Sequence, residues 1–284
     1  MPSHDYEQYS ETARTYDTTR RPVGLEVILR ALAMSAHPLQ AQTILDGGCG
    51  TGNYLAALHP QLGRLHGLDC HQAMLTHAHR KLAGTTTVHL VQGDLECLPY
   101  RDALFDGMLC NQVLHHLRHE TGTRRWCSLR HCFREAARVL RPGGVLVVNT
   151  SSPRQLRDGF WWADLIPEAV HQVAQRFPPL AAVDALLQEA GFARTVCVPL
   201  LADVLQGPQY LNSYGPFSKT YRDGDSTWAL VTPVQFQRAL ARLHALHTTG
   251  GIASYLAQRE HLRHQVGQTT CLIARKATAP PACL

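Results

Sequence analysis

The sequence lacks several features that would assign it to a common class. None of its apolar runs is long enough to span a bilayer, and its first residues lack the charged and apolar regions of a signal peptide. Its nine cysteines include no C-x-x-C pair and are scattered over predicted strands and helices, which favours reduced thiols over a disulfide framework. We therefore expect a cytoplasmic protein that does not enter a membrane.

Lysine is scarce, because only three of the 27 basic residues are lysine, and arginine carries most of the net charge of +5. Arg130, Arg134, Arg138 and Arg141 recur at helical spacing on one face, a pattern that could bind nucleic-acid phosphates. The other interpretation is a solvated outer helix face, and the absence of interleaved aromatic residues favours it. We therefore do not expect a nucleic-acid partner.

Seventeen histidines raise the question of a metal site. The closest groups are His115, His116 and His119, and the i, i+3 pairs His244/His247 and His261/His264. None of these groups is joined by a carboxylate or a cysteine at ligand spacing on the same short element. The sequence predicts no metal.

The most informative segment is Thr43 to Asn53, where an apolar strand runs into Asp46 and four glycines before helical periodicity resumes. Glycine permits positive φ and lets a ligand approach main-chain N–H groups, and the following helix presents its N-terminus to that ligand. Gly48, Gly50 and Gly52 occupy every second position, whereas a dinucleotide fingerprint has two residues between its second and third glycines. The spacing disfavours NAD.

Strands alternate with helices from Ile44 onward, which predicts a doubly wound, mostly parallel α/β sheet with right-handed crossovers. The predicted strands are 43–47, 64–69, 88–93, 105–111, 144–150, 193–200 and 268–275. The predicted helices outside the crossovers are 23–36, 179–190, 232–247 and 251–264. Ligands of such sheets collect beyond the carboxyl ends of the strands. Asp46, Asp69, Asp94 and Asn111 should therefore converge.

The segment 201–267 separates the last two predicted strands, and an insertion of that length needs its own structure. The predicted organisation is an amino-terminal lid segment with a helix at 1–36, a ligand-binding domain at 37–200 and 268–284, and an α-rich insertion or cap at 201–267.

Five segments carry a family resemblance. The glycine turn matches the pattern Asp/Glu-x-Gly-x-Gly-x-Gly, and Leu65–Asp69, Gly93–Leu95, Phe105–Asn111 and Arg138–Val148 follow it in order at βα-unit spacing. Between residues 16 and 154 the chain resembles the class I S-adenosylmethionine-dependent methyltransferases, in particular the small-molecule branch with the ubiquinone-biosynthesis-like pattern. The resemblance implies a seven-stranded Rossmann-like sheet with an antiparallel last strand. It also implies S-adenosyl-L-methionine as cofactor and S-adenosyl-L-homocysteine as product.

The resemblance also implies cofactor-binding residues at the strand ends. Asp69 would hold the ribose, because an ionised carboxylate accepts two hydrogen bonds from neighbouring hydroxyls. The other implied contacts are Asp46 and the main chain of Gly48 and Gly50 for the methionine portion, Asp94 and Leu95 for the adenine, and Cys70 beside the adenosine. Gly52 is expected to serve close packing.

In this family the end of the fourth strand, here Asn111 and Gln112, faces the transferable methyl. The sulfonium methyl is already activated, so alignment of donor and nucleophile supplies most of the catalysis. His115 and His116 follow, and either could remove a proton from a hydroxyl or protonated amine acceptor. The competing interpretation is that they cap backbone groups at the strand-to-helix turn.

The amino-terminal element Tyr-Asp-x-x-Arg implies that Tyr16 covers the sulfonium and that Arg20 pairs with the methionine carboxylate, with Arg21 as the competing choice. A helix-entry segment with solvated side chains is the alternative.

Aromatic residues concentrate after the fifth strand and within the insertion. Trp161, Trp162, Tyr221 and Trp228 could line an apolar acceptor pocket, or could form the core of the insertion. The sequence thus predicts a methyltransferase, monomeric or homodimeric, that acts on a small-molecule acceptor under a cap. An RNA methyltransferase and a non-catalytic S-adenosylmethionine-binding module are the alternatives.

Overall fold

The computed structural model describes residues 17, 20–118, 126–193 and 195–278, and the chain forms two compact units. The first, called the sheet unit, comprises Gly24–Thr150, Pro178–Val198 and Thr270–Leu284. The second, called the helical unit, comprises Met1–Val23, Ser151–Phe177 and Pro199–Thr269. The predicted insertion 201–267 lies within the helical unit, together with residues 151–177, which the sequence assigned to the ligand-binding domain.

A seven-stranded sheet of order β3-β2-β1-β4-β5-β7-β6 forms the centre of the sheet unit. Its strands are β1 Thr43–Gly47, β2 Arg64–Asp69, β3 Val88–Gln92, β4 Phe105–Asn111, β5 Leu140–Thr150, β6 Val196–Pro199 and β7 Thr270–Arg275. Strands β1 to β5 pair in parallel, and β7 pairs antiparallel with β5. The predicted fold class is confirmed.

Four strands differ from their predicted boundaries. Strand β3 ends at Gln92 rather than at residue 93, and β7 begins at Thr270 rather than at residue 268. Strand β5 begins at Leu140 rather than Gly144, because Leu140 already pairs with Phe105 before the register shifts ahead of Gly107. Strand β6 is shorter than the predicted 193–200.

The helices of the sheet unit are α1 Leu25–Leu32, α2 Asn53–Leu58, α3 Gln72–Lys81, α4 Cys127–Val139 and α7 Leu180–Glu189. Helix α4 shows why they pack on the sheet. It buries Leu129, Cys132, Phe133 and Ala136, whose spacing of three, one and three residues places them on one helical face. That face joins a core of strand residues such as Met108 and Leu146.

The helices of the helical unit are α5 Pro153–Asp158, α6 Pro167–Ala174, α8 Lys219–Asp223, α9 Ser226–Ala229, α10 Pro233–Thr248 and α11 Ile252–Val266. Helices α5 and α10 begin with complete capping boxes, Ser152 with Gln155 and Thr232 with Gln235. Buried Arg259 of α11 donates to the carbonyls of Arg157 (2.6 Å) and Phe160 (3.0 Å), which connects α11 to the end of α5. No helix in the described part of the chain is long and apolar enough to cross a bilayer.

The arginine stripe of the sheet unit is ion-paired. Arg130 and Arg134 contact Glu189 at 2.9 and 3.1 Å. Arg138 contacts Glu135 and Asp102 at 2.7 and 2.8 Å, and Arg141 contacts Asp106 at 2.5 Å. The stripe was the sole support for an RNA substrate, and its charge is balanced by these carboxylates.

Asp106, near the start of β4, forms a hydrogen bond through its carboxylate with the first residue of β1. Its buried carboxylate accepts from the Thr43 N–H (2.8 Å), from Arg141, and lies 2.7 Å from His37 Nδ1. Burial acts to raise the pKa of Asp106, but these partners outweigh it and hold the pKa below its usual value. The carboxylate therefore stabilises the fold above its unfolded-state pKa, and this contribution is lost as the pH falls through the lower folded-state pKa.

We expect Asp106→Asn to lower the free energy of unfolding at pH 7 by about 1.5–3 kcal/mol, the usual cost of losing a hydrogen bond to a charged group. Urea unfolding at pH 7 and at about pH 3 measures it, and the difference between variant and wild type should shrink in acid. Glu189→Gln is the control, because its ion pairs are exposed and contribute about 0–1 kcal/mol. Equal effects of the two substitutions would contradict this role for Asp106.

Candidate functional site

The turn between β1 and α2 has the conformation that its glycines predict. Gly48, Gly50 and Gly52 have φ of 76°, 54° and 79°. A Cβ at Gly48 would meet Val113 Cγ2 at 2.3 Å, and a Cβ at Gly52 would meet Ala78 Cβ at 3.2 Å. A Cβ at Gly50 would have no neighbour within 4 Å. Close packing requires glycine at Gly48 and Gly52, and a ligand can approach the turn at Gly50. The predicted main-chain contact of Gly48 with the cofactor stays a prediction.

Asp46 and Asn111 form a buried pair at the ends of β1 and β4. Asn111 Nδ2 donates to Asp46 Oδ1 at 3.4 Å. Burial raises the pKa of Asp46 to about 7, opposed by the Asn111 hydrogen bond and reinforced by the charge of Asp69. Asp46 Oδ2 and Asn111 Oδ1 are buried and have no hydrogen-bond partner among the described residues. Two such acceptors fit a ligand that brings donors, as an ammonium group does.

Asp69 joins the end of β2 to the glycine turn. Its Oδ2 accepts from the Gly50 N–H and its Oδ1 from the His71 N–H, both at 2.9 Å. Oδ2 keeps a lone pair for a ligand hydroxyl, whereas Oδ1 also faces the His71 ring. His71 Nδ1 lies 3.5 Å from Oδ1, and hydrogen bonds to Asp69 and Cys70 raise the pKa of His71 to about 10.

The predicted adenine contacts differ from one another in burial. Asp94 is exposed, and its Oδ1 accepts from the Glu96 N–H at 2.9 Å, which stabilises a turn after β3. Leu95 is buried, and its Cδ2 lies against Gly47. Cys70 is exposed, with its Sγ 3.1 Å from His71 Nδ1.

Gln112 connects the ends of β4 and β5. It has a φ of 51°, a left-handed conformation that is uncommon outside glycine. Its N–H donates to Asn149 O at 2.8 Å, and its Nε2 donates to Asn149 O and Oδ1 at 3.2 and 3.3 Å. Asn149 Nδ2 in turn donates to the Tyr54 hydroxyl at 3.2 Å. Asn149 and Tyr54 were not among the predicted site residues, although Asn149 lies one residue before the end of β5.

The two predicted catalytic histidines lie in a 3₁₀ turn, Leu114–His116, just beyond β4. His115 is buried and His116 is exposed, and their ring centroids are 4.0 Å apart. His119, considered above as a metal ligand, lies outside the described residues.

Trp161 lies in the interior of the helical unit. Its N–H donates to the Tyr210 hydroxyl at 3.1 Å, its indole N–H donates to Tyr210 O, and its carbonyl accepts from the Tyr255 hydroxyl at 2.9 Å. Burial raises the pKa of Tyr210 and of Tyr255 far above the physiological range, so both remain donors. These hydrogen bonds fix Trp161 in the interior of the unit, and its predicted contact with the acceptor stays a prediction.

The other three predicted acceptor residues surround or adjoin a small cavity of the helical unit. Trp162 and Tyr221 line it, together with Gln206, Gln209, Gly224 and Asp225. The Trp228 ring lies 5.7 Å from that of Trp162, and its indole N–H is buried without a hydrogen-bond partner among the described residues. Burial, with the charge of Asp225, raises the pKa of Tyr221, so its hydroxyl stays protonated.

Arg20 belongs to the same region of the helical unit. Its Nη2 lies 3.1 Å from Asp225 Oδ2, which also accepts from Gln206 Nε2 at 3.3 Å. The Arg21 N–H donates to Leu205 O at 2.9 Å. To contact the cofactor, Arg20 would have to break its ion pair with Asp225 or contact both groups at once. Tyr16 lies outside the described residues.

Comparisons with known proteins agree with this geometry. A family model described as a methyltransferase domain matches residues 45–148. The malonyl-[acyl-carrier protein] O-methyltransferase of Enterobacter lignolyticus is 34% identical over 179 residues, which cover 61% of this chain and 64% of that protein. The chain spans less than two thirds of the length of the first curated relatives it matches.

Two solved structures show the same fold. One, from Anabaena variabilis, is described as a methyltransferase from an antibiotic biosynthesis pathway, and it has a TM-score of 0.71 at 24% identity over 91% of this chain and 99% of its own. The other is phosphoethanolamine N-methyltransferase 2 of Haemonchus contortus in complex with S-adenosyl-L-methionine, with a TM-score of 0.59 at 16% identity over 95% of this chain and 57% of its own. Residues 45–148 thus match a methyltransferase domain, and the chain has the fold of the class I S-adenosylmethionine-dependent methyltransferases that its sequence resembles.

Proposed function

We propose that the chain transfers the methyl group of S-adenosyl-L-methionine to an oxygen atom of a small-molecule acceptor and releases S-adenosyl-L-homocysteine. The observation that carries this proposal is the buried pair of unpartnered acceptors, Asp46 Oδ2 and Asn111 Oδ1, at the strand ends next to the open Gly50. The cofactor's ammonium group would donate to these oxygens. Its ribose hydroxyls would donate to the remaining lone pairs of Asp69.

The reaction would be a single in-line displacement. The acceptor oxygen forms a bond to the methyl carbon while the carbon–sulfur bond breaks, and sulfur keeps the electron pair. Any acceptor proton leaves to a base or to solvent. The protein's part is to align donor and nucleophile, which can contribute about 7–11 kcal/mol. The names of curated relatives, which specify O-methylation, support oxygen as the receiving atom.

The test is a screen of the purified protein for S-adenosylhomocysteine release with carboxylate, hydroxyl and amine acceptors. Release with carboxylates or hydroxyls and none with amines supports the proposal. Release with amines alone would overturn the choice of oxygen. An absence of release with every class, in a protein that binds S-adenosylhomocysteine, would favour the non-catalytic module.

His115 and His116 are proposed to serve the acceptor rather than the cofactor. We expect His115→Ala or His116→Ala to lower kcat by about 10²–10⁴-fold if the acceptor is a hydroxyl whose proton must be removed. Cofactor affinity should remain unchanged. A carboxylate acceptor is already ionised at neutral pH, so its methylation should not need a base. If both variants turn over a hydroxyl acceptor at the wild-type rate, neither histidine acts as a base, and alignment of donor and acceptor accounts for catalysis.

The acceptor is proposed to be recognised in the helical unit, with Trp162, Tyr221 and Trp228 providing the apolar contacts. Asp225 is neutralised by Arg20 and also accepts from Gln206 and the Thr227 N–H, so the cavity presents no unpaired charge. The Tyr221 hydroxyl can donate to an acceptor oxygen. Trp161 was grouped with these residues by the sequence, and its role as a ligand contact remains a prediction.

We expect Tyr221→Ala and Trp228→Ala to raise the acceptor KM or abolish methylation, while the Kd for S-adenosylhomocysteine stays within about twofold, because cofactor contacts are assigned to the strand ends of the sheet unit. Tyr214→Ala is the matched control, since Tyr214 is an aromatic residue of the same unit that is 65% exposed. Loss of cofactor binding in a folded Trp228→Ala variant, or normal acceptor kinetics in both, would contradict the assignment.

A further inference from the structure

Three side chains of different metal-binding chemistry follow one another at the end of β2. Asp69, Cys70 and His71 offer a carboxylate oxygen, a thiol sulfur and an imidazole nitrogen, and these atoms all lie within 4.8 Å of one another. His71 Nδ1 is 3.1 Å from Cys70 Sγ and 3.5 Å from Asp69 Oδ1. The described residues contain no second group of three metal-ligating side chains this close together.

The arrangement differs from that of an activated nucleophile. In a Cys-His-Asp relay the thiol and the carboxylate face different nitrogens of the imidazole ring, so that a proton can be passed across it. Here sulfur and oxygen both face Nδ1. Three donor atoms within 4.8 Å of one another suit a single cation, which can be bound by all three at once.

We propose that Asp69, Cys70 and His71 bind one Zn²⁺ ion from solution, with water as the fourth ligand, and that this ion excludes the cofactor. The exclusion rests on the role proposed above for Asp69. Binding releases the thiol proton of Cys70 and the Nδ1 proton of His71 to solvent, because zinc takes thiolate and neutral imidazole. Zinc takes thiolate, imidazole and carboxylate ligands at about 2.0–2.3 Å, which places tetrahedral donors roughly 3.3–3.8 Å apart. The distances from His71 Nδ1 to Cys70 Sγ (3.1 Å) and to Asp69 Oδ1 (3.5 Å) are close to that range. The exposed Cys70 side chain can rotate to complete the site.

The site is accessible to solvent and includes the carboxylate assigned to the cofactor, and both features favour an ion that inhibits cofactor binding. Cys70 is exposed and His71 is partly exposed, so an ion can enter from solvent. Asp69 is the carboxylate assigned to the cofactor ribose, and a bound ion occupies the lone pair that the ribose hydroxyl would use. Two ligands that need the same atoms bind in competition, and each lowers the apparent affinity of the other.

Direct binding is tested on the cofactor-free protein with Co²⁺ as a spectroscopic substitute for Zn²⁺. We expect a near-ultraviolet sulfur-to-cobalt charge-transfer band that one equivalent of Zn²⁺ removes. Cys70→Ser should abolish the band, and His71→Ala should weaken Zn²⁺ binding at least tenfold by calorimetry. Cys197→Ser is the control, because it removes another exposed thiol of the sheet unit. A band that survives in Cys70→Ser, or no band in the wild type, overturns the site.

Competition is tested by titrating S-adenosylhomocysteine at increasing Zn²⁺. We expect the apparent Kd to rise in proportion to Zn²⁺ in the wild type and to stay constant in Cys70→Ser. A cofactor affinity that Zn²⁺ leaves unchanged in a protein that binds the ion overturns the exclusion. A protein that binds Zn²⁺ but never S-adenosylhomocysteine contradicts the proposed function instead, and the metal site stands.

Discussion

Replacing Gly50 by valine is expected to abolish measurable binding of S-adenosylhomocysteine while leaving the sheet unit folded. The substitution has two effects. First, the valine side chain occupies the space next to the turn, where an added Cβ has no neighbour within 4 Å. Second, it strains a backbone whose φ is 54°. The strain costs about 1–2 kcal/mol, because a left-handed conformation brings Cβ close to the following carbonyl oxygen. The blocked space should cost far more in affinity.

The two effects are separated by Gly84→Val. Gly84 has φ of 84° and likewise no neighbour within 4 Å of an added Cβ, but it lies in the turn between α3 and β3. Both variants should lose a similar free energy of unfolding in urea, and only Gly50→Val should lose the cofactor in calorimetry. If both variants bind normally, Gly50 does not face the cofactor. If both lose binding, backbone strain rather than occupied space is responsible.

Most of the strands were predictable because they contain buried apolar residues and end at a polar or glycine residue. Strands β1, β2 and β4 have the predicted boundaries. Their buried faces leave little freedom in where a strand can start or stop, since a shift by one residue would move every side chain to the opposite face. Strand β5 was predicted too short, because the sequence Arg-Pro-Gly-Gly suggests a turn, whereas Leu140 in front of it already pairs with Phe105 and pairing resumes at Val145.

The network around Gln112 was not predictable in the same way. Asn149 and Tyr54 lie 95 residues apart in sequence, and no local pattern relates an asparagine at one strand end to a tyrosine in a helix. The contact between Arg20 and Asp225 spans 205 residues. A polar residue at a strand end indicates that a site exists there, but the partner that each polar group meets depends on how distant segments pack.

The sequence did not predict which way the side chains of the neighbours Trp161 and Trp162 point. Both are large and buried, and both were candidates for acceptor binding. Trp161 contacts Tyr210 and Tyr255, whereas Trp162 lines a cavity and adjoins Trp228. The segment between α5 and α6 has no regular period that assigns either residue to a face, so the sequence could not separate a packing residue from a candidate pocket residue.

Asp69→Ala is expected to weaken binding of S-adenosylhomocysteine by at least about a hundredfold. The variant would lose two hydrogen bonds from the ribose, each contributing about 1.5–3 kcal/mol with a charged acceptor. It would also remove the acceptor of the Gly50 and His71 N–H groups, and so release the glycine turn from β2. Titration calorimetry measures the loss, and thermal unfolding verifies that the variant remains folded.

Two further substitutions separate these contributions. Asp69→Asn keeps one acceptor oxygen without the charge, so it should bind more tightly than Asp69→Ala and more weakly than the wild type. Asp94→Ala should have a smaller effect than Asp69→Ala, because the Asp94 carboxylate is exposed and already accepts from the Glu96 N–H. Wild-type affinity in a folded Asp69→Ala variant would mean that the end of β2 does not hold the ribose. The exclusion of cofactor by zinc would then lose its basis too, because both ligands are proposed to need the same carboxylate.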